Sequence, residues 1–249
     1  MPSAKKVPPA KPKSKRETTS LADEVKTAIV SLKKLATQRT LDGMARFAIP
    51  SDKAFGVAVG DIRKLAKSLG QNHELAAALW DTGWYEARML ACFLDSPVDV
   101  TPAQMDSWAK DFDSWAICDT ACFHLFDRTP HAWRKIEQWA RRRDEFVKRA
   151  AFALLASIAL HDKKTPDEPF LKCLPLAESA ASDERNFVKK GVVWALRGIG
   201  GRNRALHAAA LTVAQRLADS PDVTVRWVGK TTLRELRSPA AIRRLAARG

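Results

Sequence analysis

Phe146-Val-Lys-Arg-Ala-Ala-Phe-Ala-Leu-Leu155 and Phe187-Val-Lys-Lys-Gly-Val-Val-Trp-Ala-Leu196 are two copies of one pattern, 41 positions apart. Thr224-Val-Arg-Trp-Val-Gly-Lys-Thr-Thr-Leu233 repeats it more loosely, 37 positions further on. An acidic turn precedes each copy: Asp144-Glu145, Asp183-Glu184 and Asp222. Apolar residues within them recur at three- and four-residue spacing, the period of a helix with one buried face.

A helical unit returning about every 40 residues is the pattern of HEAT-like repeats, in which stacked helix pairs bury a continuous core and bend into a surface that binds something long. The same periodicity extends outward, broken at Gly and Pro. It predicts helices near 20–38, 41–47, 59–69, 73–80, 84–94, 102–110, 115–126, 130–140, 145–161, 168–180, 186–199, 203–218, 222–236 and 239–247. The expected fold is all-α: a curved α-solenoid with a concave basic groove. Residues 20–249 are expected to form one repeat domain and residues 1–19 a basic disordered tail.

Composition excludes several classes. Hydrophobic residues make up 46% of the 249, ample for a core, but no window approaches the roughly 18 uncharged apolar residues of a membrane span. Met1 to Arg16 holds no apolar run of signal-peptide length, and the four cysteines are scattered. A reducing, cytoplasmic setting is expected, nucleoid-associated in a bacterium. The net charge of +14 is uneven: Met1 to Arg16 carries six cations and no acid, and Arg226 to Gly249 carries seven cations against Glu235. A Pro/Lys-rich tail is ordinarily a solubilising extension. The C-terminal cations sit in a helical pattern instead, suited to a fixed patch for polyanions.

Helical geometry singles out two places. At about 100° per residue, Trp115, Phe126, Asp119 and Phe123 fall near 0°, 20°, 40° and 80°, so Asp119 interrupts an aromatic face. A carboxylate there serves either as a structural acceptor for a neighbouring helix or as a functional charge, because burying it unpaired is costly. In the helix from Asn186, with Phe187 at 0°, Val188, Val192, Ala195, Leu196 and Ile199 occupy about 80° to 180°, the core stripe. Trp194 falls near 340°, beside Lys190 and Arg197. A tryptophan among cations stacks on a sugar or base while the cations hold phosphates, or it packs against the next repeat. Lys148, Lys189 and Arg226 form a row at matching repeat positions; Arg149 and Lys190 match likewise, and Lys230 lies one turn beyond Arg226. Cys118 and Cys122, near His124 and His131, lack ligand spacing and read as core thiols, so neither metal nor cofactor is expected. Gly198-Ile-Gly-Gly201 reads as a helix C-terminus.

At these residues the chain resembles the AlkD-like DNA alkylation repair family, HEAT-like repeat glycosylases that excise alkylated purines. The matching segments are Phe55-Gly-Val-Ala-Val-Gly-Asp-Ile-Arg63, His73-Glu-Leu-Ala-Ala-Ala-Leu-Trp80, Glu86-Ala-Arg88, Asp111-Phe-Asp-Ser-Trp-Ala-Ile-Cys-Asp119, Glu145-Phe-Val-Lys-Arg-Ala150, and Asp183-Glu-Arg-Asn-Phe-Val-Lys-Lys190 through Trp194-Ala-Leu-Arg197. The resemblance places Trp115, Asp119, Arg149 and Trp194 at catalytic positions. It also implies a tyrosine in an N-terminal helix, where Leu41-Asp-Gly-Met-Ala-Arg-Phe47 has none.

The function so implied is hydrolysis of the N-glycosidic bond of cationic N3- or N7-alkylated purines in duplex DNA by a monomer. Asp119 would stabilise the sugar cation and position water, Trp115 and Trp194 would face that cation, and Arg149 would hold a backbone phosphate. Lys148, Lys189, Lys190, Arg197, Arg226 and Lys230 would bind DNA. The alternatives are a non-catalytic binder of distorted or branched DNA and a HEAT-type protein-binding scaffold.

Overall fold

A computed structural model describes residues 20–247. The basic segment 1–19, expected as a tail, lies outside the described residues, as does Arg248. Among the described residues the chain is all helical, and no helix is long and apolar enough to cross a membrane. In order, the helices are α1 (Leu21–Lys34), α2 (Gln38–Met44), α3 (Val59–Leu69), α4 (His73–Asp81), α5 (Tyr85–Leu94), α6 (Pro102–Lys110), α7 (Trp115–His124), α8 (Ala132–Trp139), α9 (Glu145–His161), α10 (Asp167–Ala180), α11 (Asn186–Gly200), α12 (Arg204–Ala218), α13 (Val223–Leu236) and α14 (Pro239–Ala246).

Their starts follow local chemistry. The side chains of Ser20, Thr37, Asn72, Thr101, Asn203, Asp222 and Ser238 each accept a first-turn amide of the helix they precede, satisfying donors that have no intrahelical partner. Two predicted boundaries need correction. The helix expected over 20–38 stops at Lys34, because Thr37 caps a new helix and donates its own N–H to the Gly56 carbonyl. The helix expected to reach Phe126 stops at His124: Leu125 leaves helical geometry, and a 3-10 turn over Phe126–Arg128 ends where the Thr129 hydroxyl donates to the Phe126 carbonyl.

Packing makes two layers. Helices α3, α5, α7, α9, α11 and α13 touch in succession, each against the next, while α4, α8, α10 and α12 back the helices that follow them. This is the HEAT-like solenoid expected from the 40-residue period. Buried side chains from Ala28 to Val228 join in one core cluster, with Trp80 stacked on Trp108 at 4.0 Å. The predicted stripe of α11 is wholly buried: Val188, Val192, Ala195, Leu196 and Ile199 expose essentially nothing. Every residue singled out for the site lies on α7, α9, α11 or α13, four adjacent helices of one layer.

Candidate nucleic-acid interface

Asp119 sits one turn after Trp115 on α7, and its interruption of the aromatic face is answered from α9. The Arg149 guanidinium donates Nε to one carboxylate oxygen at 2.8 Å and Nη2 to the other at 2.7 Å. Its remaining nitrogen, Nη1, donates to the Phe187 carbonyl at the start of α11, also at 2.8 Å. Arg149 is 7% exposed, and the role expected for it, gripping a DNA phosphate, is corrected: it is a buried staple joining α7, α9 and α11. The Asp119 side chain keeps 15% of its surface open. Burial pushes its carboxyl above the ordinary range, and Arg149 opposes that rise; burial likewise disfavours the guanidinium charge, but Asp119 prevails and raises the arginine.

Trp115 is half-buried, and its indole N–H donates to the Phe47 carbonyl at 2.7 Å, tying α7 to the segment before α3. Phe47 is itself 62% exposed, so its contact with Trp115 runs through the backbone carbonyl. Trp194 is half-buried and stacks on Phe123 of α7, centroids 4.8 Å apart and planes 11° from parallel. The aromatic face of α7 and the tryptophan of α11 therefore meet, a contact that neither helical projection gave.

The expected phosphate contacts divide into two groups. Lys148 pairs with Asp183 at 3.0 Å, and Arg226 donates to the carbonyls of Ser220 and Pro221 at 2.8 and 2.9 Å. Arg197 pairs with Glu235 at 2.5 Å, and the Lys189 ammonium lies 5.0 Å from the Trp227 ring centroid. Lys148 ties its repeat to the next one, and Arg226 ties α13 to its own preceding loop. Arg197 remains partly exposed at 44% of its side chain. Lys190 and Lys230 are exposed and make no ion pair among the described residues. The acidic turns also divide. Asp222 caps α13, whereas Asp183 reaches back to Lys148 and binds Arg185, whose hydrogen bonds hold it well below the usual carboxylate range.

The DNA alkylation repair enzyme family matches residues 28–244. The chain belongs to this family. Its fold is shared by a solved structure 20% identical to it, with a TM-score of 0.69 over 77% of this chain and 82% of that one, described as "a new family of proteins related to the HEAT-like repeat DNA glycosylases with affinity for branched DNA structures". A designed armadillo repeat protein aligns loosely, with a TM-score of 0.37 at 15% identity over 89% of this chain and 96% of its own. No curated protein matches the chain.

For a DNA alkylation repair protein, three further features escaped the sequence reading. Glu86, fully buried, accepts the backbone amides of Phe55, Gly56 and Val57 at 2.7 to 3.1 Å and so fixes the loop before α3. Asp127, with its side chain 1% exposed, accepts from Ser157 and binds His161, both at 2.6 Å, and His161 meets the edge of Phe123 beneath Trp194. Trp227 is a large exposed side chain beside the cations of α11. Cys118 and Cys122, read as core thiols, are buried and point at the Phe146 and Ala150 carbonyls.

Proposed function

We propose that the protein hydrolyses the N-glycosidic bond of cationic N3- or N7-alkylated purines in duplex DNA. The observation that carries this reading is a carboxylate held at both oxygens by Arg149, its side chain still 15% exposed, one turn from Trp115 in a chain of the DNA alkylation repair family. The alkylated base already carries a positive charge and departs as a neutral molecule with the bonding electron pair, so it needs no acid. The demand falls on the sugar, which develops oxocarbenium character. Asp119 supplies a fixed negative charge beside it and an acceptor for the proton that water loses as its oxygen bonds to the anomeric carbon. Arg149 acts as a positioning residue, since its nitrogens hold Asp119 and the Phe187 carbonyl. Trp115 and Trp194 offer electron-rich rings to the same cation. Lys190, Lys230, Lys189 and Arg197 supply the backbone contacts, which position the duplex without reading sequence.

Duplex DNA carrying N7-methylguanine, incubated with the protein, is expected to yield free base and alkali-labile sites. Asp119→Asn should reduce release per folded molecule by about 10²-fold or more, the scale for losing a positioned base or charge. Its DNA affinity should hold. Undiminished release by the folded variant removes Asp119 from the chemistry. A second reading has its own support: both Asp119 oxygens are already engaged, as a purely structural carboxylate's would be, and the solved relative is described as having affinity for branched DNA. That reading expects no base release from the wild type and tighter binding of branched than of linear duplex.

A further inference from the structure

Between α11 and α13 lies an open recess of about 400 Å³, which Trp194 and Trp227 line together with Lys190, Arg197 and Arg234. Its one acid, Glu235, is neutralised by Arg197, so the lining retains the charge of Lys190 and Arg234. Neither of these makes an ion pair among the described residues. Trp227 is 37% exposed, although its neighbour Val228 is fully buried. The largest apolar side chain of the helix thus keeps more than a third of its surface open, among cations. The Lys189 ammonium, outside the lining, lies over the Trp227 ring 5.0 Å from its centroid and adds positive charge nearby.

An aromatic ring flanked by unpaired cations is the arrangement that holds an unstacked nucleotide: the ring takes the base face and the cations take the phosphates on either side. The volume lies at the lower end of small-ligand sites, room for a group of nucleotide size. A base within a duplex has both faces occupied by its neighbours and cannot enter. We propose that this recess captures one unpaired nucleotide of a DNA strand, with Trp227 as the stacking platform and Lys190 and Arg234 on its flanking phosphates. Trp194 forms the wall shared with the candidate site, so a nucleotide displaced next to a lesion has a seat one helix away. The inference rests on the DNA-binding part of the proposed function and not on its glycosylase step.

The test uses the full-length protein and unmodified DNA, so base release plays no part in it. Binding of a dye-labelled single-stranded oligonucleotide, a duplex with a one-nucleotide bulge and the fully paired duplex is followed by fluorescence anisotropy, with polyglutamate as competitor. Trp227→Ala is expected to weaken the single-stranded and bulged ligands about tenfold, the usual loss of one base-stacking ring, and the paired duplex by less than about twofold. Trp227→Phe should restore most of the loss. Equal weakening of all three ligands, or none, overturns the recess while leaving duplex binding standing. Competition by polyglutamate that Trp227→Ala weakens as much as it does the oligonucleotide also overturns it, making the recess a general anion surface. If the Trp227→Ala protein melts earlier, Arg234→Ala decides instead: the salt slope for the single strand should fall by about 0.7, and an unchanged slope refutes the phosphate assignment. Failure of the wild type to release N7-methylguanine, with these preferences intact, ends the glycosylase reading alone.

Discussion

Arg149 spends its guanidinium on two partners, the Asp119 carboxylate on one side and the Phe187 carbonyl on the other. Removing one half of a buried, hydrogen-bonded pair strands the other, so Asp119→Asn and Arg149→Met should each lower unfolding free energy by about 3–5 kcal/mol. Replacing both, by Asp119→Leu with Arg149→Met, should return much of that loss without restoring base release. Urea denaturation at neutral pH measures all three, and single-variant losses below about 1 kcal/mol would remove the staple from the stability of the fold. His124 gives a pH signature. Burial first, then the adjacent Arg63, depress its pKa from 6.5 to about 4. The folded state therefore prefers the neutral ring, and this stability is complete above about 6.5 and lost as pH falls toward 4. Melting temperature should decline across that window, and His124→Gln should flatten the decline; an equal slope in the variant would assign it to other groups. The anomaly of Asp119 was legible in the sequence because it needs only helical angles. The identity of its partner was not, since Arg149 lies 30 positions away and its own spacing pointed as readily outward to a phosphate.

Helices were read from the sequence almost in full, since a 3.6-residue stripe such as that of Val188, Val192 and Leu196 is a local property. Their ends were less so where a distant group intervenes, as at Thr37, whose N–H is claimed by Gly56. The recurring cations are ambiguous in sequence for a physical reason. In a repeat protein each element faces the next copy, so a row of charges recurs whether it binds a ligand or ties neighbours together. Lys148 to Asp183, Arg149 to Asp119 and Arg197 to Glu235 span 35, 30 and 38 positions, about one repeat each. Helix contact also leaves a mark on a glycine. A Cβ at Gly229 of α13 would sit 2.2 Å from the Ala218 nitrogen and 2.5 Å from the Leu217 carbonyl carbon, so α13 crosses the end of α12 backbone against backbone. Alanine gains about 1 kcal/mol of helix propensity, but the clash with an immovable backbone outweighs it. Gly229→Ala should lose about 3 kcal/mol net, read by thermal or urea unfolding. A neutral or stabilising result would show that α12 and α13 are further apart.

Across the whole molecule, the excess of +14 sets attraction to a polyanion, but cations buried in pairs, such as Lys148 and Arg149, do not convert it into contacts. Duplex binding should weaken steeply with salt, and the double variant Lys190→Ala, Lys230→Ala should shrink the log–log slope by about 1.8, or 0.9 for each phosphate lost. Lys148→Ala should instead lower stability and leave the slope unchanged, because its ammonium is committed to Asp183. Slopes measured by anisotropy between low and moderate salt separate the two, and an unaltered slope in the double variant would place the DNA elsewhere. The staples that join successive repeats also bear on the order of folding. Bonds one repeat long close modest loops, at little entropic cost, and form wherever two neighbours are present. The bond from Trp115 to Phe47 spans 68 positions, nearly twice that reach, and it seats the residue beside Asp119. In a refolding experiment helicity should therefore return first, and the environment of Trp115 should mature in a later phase, once the segment carrying Phe47 has docked on α7.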